Sequence, residues 1–121
     1  MRQREFEEHV GRALDDLPPL IKERMENVEV LVAQWATREQ LIDSGLSRRH
    51  HILGLYEGVP LPERGANYGM VLPDRITIFQ RAVEAACRSQ EELEGEIRKT
   101  VVHEVAHHFG IDDDQLQAMG Y

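Results

Sequence analysis

Residues 103–113 read HEVAHHFGIDD and decide how the C-terminal part of this chain is arranged. On an α-helix, residues four apart lie one turn above each other on the same face. His103 and His107 can therefore direct two imidazoles at one point in space. Gly110 follows where such a helix would end, and a glycine there can adopt the left-handed conformation that turns the chain back. We expect this turn to bring Asp113 towards the two histidines.

The residue types in this stretch are those of a catalytic zinc site. Two imidazoles and one carboxylate, from His103, His107 and Asp113, would leave a fourth coordination position for water. An open position of this kind distinguishes catalytic zinc sites from structural ones, which are closed by four protein ligands. Glu104 directly follows the first histidine and is placed to act as general base on that water. The motif therefore predicts a single bound zinc ion and a hydrolytic reaction.

Alternatives remain at three points in this stretch. Asp112 and Asp114 flank Asp113, and either carboxylate can replace it as third ligand. His108 adjoins His107 but points about 100° away around the helix, towards the apolar side. We interpret His108 as a packed histidine that supports the site, rather than as a fourth ligand. Spacing alone does not distinguish zinc from iron, manganese or cobalt.

Hydrophobic periodicity predicts the elements around this stretch. Apolar residues at three- and four-residue steps predict a long helix over residues 90–109, with Ser89 as its N-cap. The predicted strands lie at residues 28–32, 52–57 and 75–79. The other predicted helices lie at residues 6–17, 20–25, 40–42 after a Thr37 cap, 80–88 and 112–119 with Asp112 as cap. These elements predict an α+β domain in which a long helix crosses a small sheet.

The composition limits the classes of protein to which the chain can belong. Its 121 residues predict a single domain over residues 1–121, with 41% hydrophobic and 30% charged residues as in soluble globular proteins. The net charge of −8 argues against a nucleic-acid surface. No apolar run is long enough for a membrane span, and the charged N-terminus does not resemble a secretory signal. The lone Cys87 cannot form an intramolecular disulfide, so we expect a reducing, cytoplasmic location.

The chain resembles the small bacterial zincin-like metallopeptidases, which are also called minimal zincins. The resemblance rests on the motif at residues 103–113, and on residues 54–61 and 72–79. It implies a compact sheet backed by an active-site helix, without the second subdomain of larger zinc peptidases. It also implies that zinc is held by the two histidines and Asp113, with Glu104 as the base.

Two functions of different classes follow from these observations. The first is a zinc-dependent metallopeptidase that acts on a peptide or protein substrate. The second is a metal-stabilised module that binds peptides or a partner protein without turnover, which the small size of the chain favours. Glu104 favours the enzyme, because a purely structural zinc site needs no base. A third possibility, of the same class as the first, is a metal hydrolase that acts on a non-peptide amide, which only a substrate screen would separate from the first. A regulatory protein partner is compatible with each of these functions.

Two further requirements of a hydrolase have several candidates in the sequence. A donor for the developing oxyanion could come from Tyr56, Arg64, Tyr68 or Tyr121. A substrate groove could be bordered by the loop at residues 57–70, or by the edge of the strand at residues 52–57. The sequence does not choose among them.

Overall fold

The computed structural model of the protein describes residues 1–43, 52–59 and 74–118, except the side chains of Asp113 and Leu116. The described helices are α1 (Gln3–Asp15), α2 (Pro19–Glu23), α3 (Arg38–Asp43), α4 (Gln80–Ala85), α5 (Gln90–His108) and α6 (Asp113–Ala118). The described strands are β1 (Val28–Ala33), β2 (Gly54–Glu57) and β3 (Asp74–Phe79). The predicted α+β class is confirmed.

The three strands form one sheet in the order β1-β3-β2. Strand β3 pairs in parallel with β1, with Ile76 opposite Val30, and antiparallel with β2. The backbone N–H of Phe79 donates to the carbonyl of Leu53 at 2.9 Å, so Leu53 faces β3. Because hydrogen-bonding direction alternates along a strand, the backbone groups of Gly54 and Tyr56 point away from β3. Within the described ranges no strand pairs with this outer edge of β2.

Helix α5 crosses one face of the sheet and packs against α1. The predicted apolar stripe is confirmed: Leu93, Ile97, Val101 and Val105 are all buried. They pack with α1 and β3 in a core whose other buried members are Phe6, Val10, Ala13, Ile76, Ile78 and Val83. Burying each large aliphatic side chain contributes about 1.5–3 kcal/mol before the entropy of ordering is subtracted. The core therefore fixes the rotation of α5 about its own axis.

Both ends of α5 are fixed by the signals that the sequence contains. At the start, the Ser89 hydroxyl accepts a hydrogen bond from the backbone N–H of Glu92 at 3.2 Å. At the end, Gly110 has a φ of 75°, its N–H donates to the carbonyl of His107 at 3.0 Å, and that of Ile111 donates to Ala106 at 2.9 Å. This pair of bonds is the Schellman motif. It confirms that the chain reverses at Gly110.

The shorter elements follow their predictions with shifted ends. Thr37 caps α3 as predicted, because its hydroxyl accepts from Gln40 N at 3.1 Å and its own N–H donates to the Gln40 side chain. Helix α1 begins at Gln3 rather than at residue 6, and β2 begins at Gly54 rather than at residue 52. Helix α4 ends at Ala85, because the backbone N–H of Cys87 bonds three residues back to Glu84 and tightens the last turn.

Cys87 is partly buried and packs against the core, as a small apolar residue would. No helix among the described residues has the length and apolar character needed to cross a bilayer. The loop predicted to continue through residues 60–70, together with Arg64, Tyr68 and Tyr121, lies outside the described residues.

Candidate metal centre

The last two turns of α5 bring His103, Glu104 and His107 together. One possible ligand atom from each side chain lies within 4.8 Å of the others. The two imidazole rings have centroids 4.7 Å apart, with an angle of 71° between their planes. His107 Nδ1 lies 3.1 Å from Glu104 Oε1. The helical spacing thus places both predicted histidine ligands beside the predicted base.

The three side chains differ in their access to solvent. The Glu104 side chain is 6% exposed, whereas that of His107 is 32% exposed. His103 is also half-buried. The carboxylate is therefore held beneath two imidazoles that remain accessible to an incoming ion and substrate. Imidazole nitrogens are ligand types that suit zinc, and the expected third ligand, Asp113, would add a carboxylate oxygen, so this donor set fits the metal.

Glu104 is held in place by the edge strand β2. A Cβ atom added at Gly54 would lie 2.9 Å from Glu104 Cγ, 3.3 Å from Glu104 Oε2 and 3.0 Å from Thr100 Cγ2. Real Cβ atoms essentially never approach a carbon as closely as the first of these distances. Glycine at this position therefore lets the strand and the helix approach each other, and the carboxylate lies between them.

The third predicted ligand belongs to the turn that follows α5. Asp113 is the first residue of α6, and its side chain lies outside what the structure describes, so its role remains a prediction. Asp112 caps α6 as predicted: Asp112 Oδ1 accepts from Gln115 N at 2.8 Å, and Gln115 Oε1 accepts from Asp112 N at 2.9 Å. Asp114 is exposed on α6. Because the Asp112 carboxylate caps α6, Asp113 is a better candidate than Asp112 for the third ligand.

His108 has the packed, supporting position that the sequence predicts for it. The ring is fully buried, with Nδ1 3.1 Å from Asp74 Oδ2 and Nε2 3.0 Å from the carbonyl oxygen of Arg24. The Tyr56 hydroxyl donates to Asp74 Oδ2 and lies 3.3 Å from His108 Nδ1. Since its hydrogen is engaged there, Tyr56 is not positioned as an oxyanion donor. We call Tyr56, Asp74 and His108 the buried triad.

Asp74 is a residue of this site that the sequence did not indicate, because it directly precedes the strand predicted at residues 75–79. Asp74 is 2% exposed at the start of β3, and its Oδ1 also accepts from Val59 N at 3.4 Å. Its partner His108 lies 34 positions away in sequence. The local signal is an acidic residue directly before an apolar strand, which does not identify a partner so far along the chain.

A groove of about 330 Å³ opens beside the metal centre, between β2 with the residues before it and α5. Its lining residues are Ile52, Leu53, Gly54, Glu96, Lys99, Thr100, His103 and Glu104. A larger cavity of about 550 Å³ lies beside the start of α1 and is lined by none of the three metal-centre residues. Because a substrate must reach the reacting groups, the smaller groove is the relevant one.

Comparisons with known proteins agree with this geometry. The zincin-like metallopeptidase family matches residues 25–121 of the chain, and this family implies a bound metal, typically zinc. A solved structure, described as a conserved hypothetical protein from Thermo thermophilus, superposes with a TM-score of 0.59 at 20% sequence identity. The match covers 98% of this chain and 99% of that chain, and it shows a shared fold. No curated protein matches the sequence.

Proposed function

Because this chain belongs to the zincin-like metallopeptidase family, we propose that it is a zinc-dependent hydrolase of peptide bonds. The observation that carries the proposal is the convergence of His103, Glu104 and His107 beside an open groove. A structural zinc site is closed by its ligands and needs no base. Here a carboxylate lies next to the histidines, and a groove gives access to them.

Each residue of the centre has a distinct role in the proposed reaction. His103 and His107 would hold the ion through imidazole nitrogens, with Asp113 as the expected third ligand. When bound, zinc supplies a water molecule with a pKa of about 7 and polarises the substrate carbonyl. Glu104 accepts a proton from the attacking water on a carboxylate oxygen and passes it to the leaving amine. The packing of Glu104 against Gly54 holds the carboxylate in place for this transfer.

The outer edge of β2 offers a way to hold an extended peptide. The backbone groups of Gly54 and Tyr56 point away from β3, and Gly54 lies against Glu104. An extended segment that pairs with this edge would run past the metal centre with its carbonyl groups in reach of it. Main-chain pairing of this kind binds many sequences, so selectivity must come from side-chain contacts.

The test compares Glu104→Gln with wild-type protein, each loaded with zinc, on a library of fluorogenic peptides. We expect the variant to bind zinc normally and to lose about 10²–10⁴-fold in turnover, the usual contribution of a general base. Glu94→Gln, which changes an exposed carboxylate on the same helix, is the matched control and should retain activity.

Two outcomes would overturn the proposal. Equal turnover by Glu104→Gln and wild type would remove Glu104 as the base. Zinc and peptide binding without cleavage by the wild type would instead support the metal-stabilised interaction module.

A further inference from the structure

The groove beside the metal centre has an apolar wall and a charged rim. Ile52 and Leu53 form the apolar wall on the strand side. Glu96 and Lys99 form the rim on α5, towards the start of that helix. His103 also lines the groove, seven residues after Glu96, a separation of about 10 Å along a helix axis. The groove is therefore shaped for a long side chain that lies along an apolar surface and ends at a charge.

The two rim charges are not equivalent. Glu96 is half-buried, whereas Lys99 is exposed. Neither side chain has an ion pair or hydrogen bond, as far as the chain is described. A carboxylate that has lost part of its hydration without gaining a partner gains more from an incoming opposite charge than a solvated ammonium does. Glu96 is therefore the stronger recognition element.

The charge of Glu96 also acts on its surroundings. Burial raises the pKa of the Cys87 thiol, and the nearby carboxylates of Glu96 and Glu92 raise it further. Over longer distances, the net charge of −8 attracts basic peptides to the protein. The charge of Glu96 and the net charge of the protein thus both favour a positively charged ligand.

We propose that this groove is a specificity subsite for a lysine or arginine side chain of the substrate, close to the scissile bond. The aliphatic part of that side chain lies against Ile52 and Leu53, as long basic side chains commonly do on apolar surfaces, and its cation pairs with Glu96. This inference rests on the proposed function, because it assigns the groove to the substrate of the same metal centre.

The experiment measures binding separately from cleavage. Short labelled peptides carry a single Lys, Gln or Glu, moved through each position in turn. Fluorescence anisotropy with zinc-loaded Glu104→Gln protein gives their affinities without turnover. We expect the best Lys peptide to bind about fivefold more tightly than its Gln counterpart, the range of a partly exposed ion pair, with the advantage falling as salt rises.

Three variants in the same background test which charge is responsible. Glu96→Gln should abolish the Lys advantage, and Lys99→Gln should increase it because a competing cation is removed. Glu94→Gln removes an exposed carboxylate of the same helix that does not line the groove, and should leave the advantage unchanged. The same substitutions in the active protein should change KM for Lys peptides more than kcat.

The inference is overturned if Lys and Gln peptides bind alike, or if Glu94→Gln and Glu96→Gln reduce the advantage equally. A preference for Glu peptides that disappears in Lys99→Gln would also overturn it, by making Lys99 the recognition element. If the wild type cleaves peptides without a preference for Lys, this inference is wrong and the proposed peptidase activity stands. If Lys peptides bind selectively but the wild type cleaves none of them, the proposed peptidase activity is wrong and the basic subsite stands.

Discussion

His107 and His108 are adjacent in sequence and have opposite environments. The His107 side chain is 32% exposed and contacts Glu104 at the metal centre. The His108 side chain is fully buried and contacts Asp74 and the backbone of Arg24. Consecutive residues on a helix point about 100° apart, so one step turns the imidazole from the groove into the core. The same residue type therefore faces the candidate metal centre on one side of the helix and packs in the core on the next.

The buried face of the last turn of α5 supports the exposed face of the same turn. The buried triad joins β2, β3 and the last turn of α5, and His108 also bonds to the residue Arg24 ahead of β1. Because His107 lies in that same turn, the contacts that fix His108 also fix the direction of the neighbouring imidazole. The candidate metal centre is thus supported by polar contacts that lie outside the group of His103, Glu104 and His107.

The largest effect expected on folding distinguishes the two histidines directly. His108→Ala should lower the free energy of unfolding by about 3 kcal/mol, because it leaves a cavity and removes a partner from the buried Asp74 carboxylate. His107→Ala should cost about 1 kcal/mol, because the side chain is partly solvated and its hydrogen bonds are replaced in part by water. Urea unfolding of the metal-free proteins measures both. Equal losses would contradict the division of roles.

A smaller effect tests how closely the strand holds the base. Gly54→Ala should destabilise the protein by about 1–3 kcal/mol through overpacking, and lower kcat about tenfold by displacing Glu104. Gly95→Ala is the matched control, since a Cβ there meets nothing within 4 Å. It should stabilise the helix by about 0.5–1 kcal/mol and leave kcat unchanged. An unchanged kcat in Gly54→Ala would mean that β2 does not position the base.

The smallest effect concerns the Glu96 carboxylate in the groove. Unlike the carboxylate of Asp74, it has no hydrogen-bonding partner among the residues that the structure describes, and the prediction tests whether its charge is felt by neighbouring groups. The pKa of the Cys87 thiol is raised by burial and then by Glu96 and Glu92, so Glu96→Gln should lower it while leaving it above its ordinary value. The pH dependence of thiol alkylation measures this, with Glu94→Gln as control. A pKa that does not fall would show that the Glu96 charge is already neutralised.

The parts of this molecule that could be predicted from sequence are those with local causes. The apolar stripe of α5, its Ser89 cap and the Gly110 turn each depend on residues a few positions apart, and the structure confirms all three. The proximity of His103, Glu104 and His107 follows from helix geometry alone. The buried position of His108 follows from the same geometry.

The parts that could not be predicted depend on contacts between distant segments. The sheet order, with β3 between β1 and β2, is set by how the apolar faces assemble rather than by any one strand. Asp74 meets His108 only because β3 and α5 pack together. The groove likewise combines residues before and within β2 with residues of α5, so neither segment alone reveals it.

Zinc stoichiometry in four proteins tests the central claim most directly. Elemental analysis after dialysis should give about one zinc per chain in wild type and in His108→Gln, whose amide can keep one of the buried hydrogen bonds. His103→Ala and His107→Ala should lose the metal while circular dichroism shows that they remain folded. A wild-type protein that contains no zinc and takes up none when it is added would contradict the account, as would zinc that survives in both alanine variants.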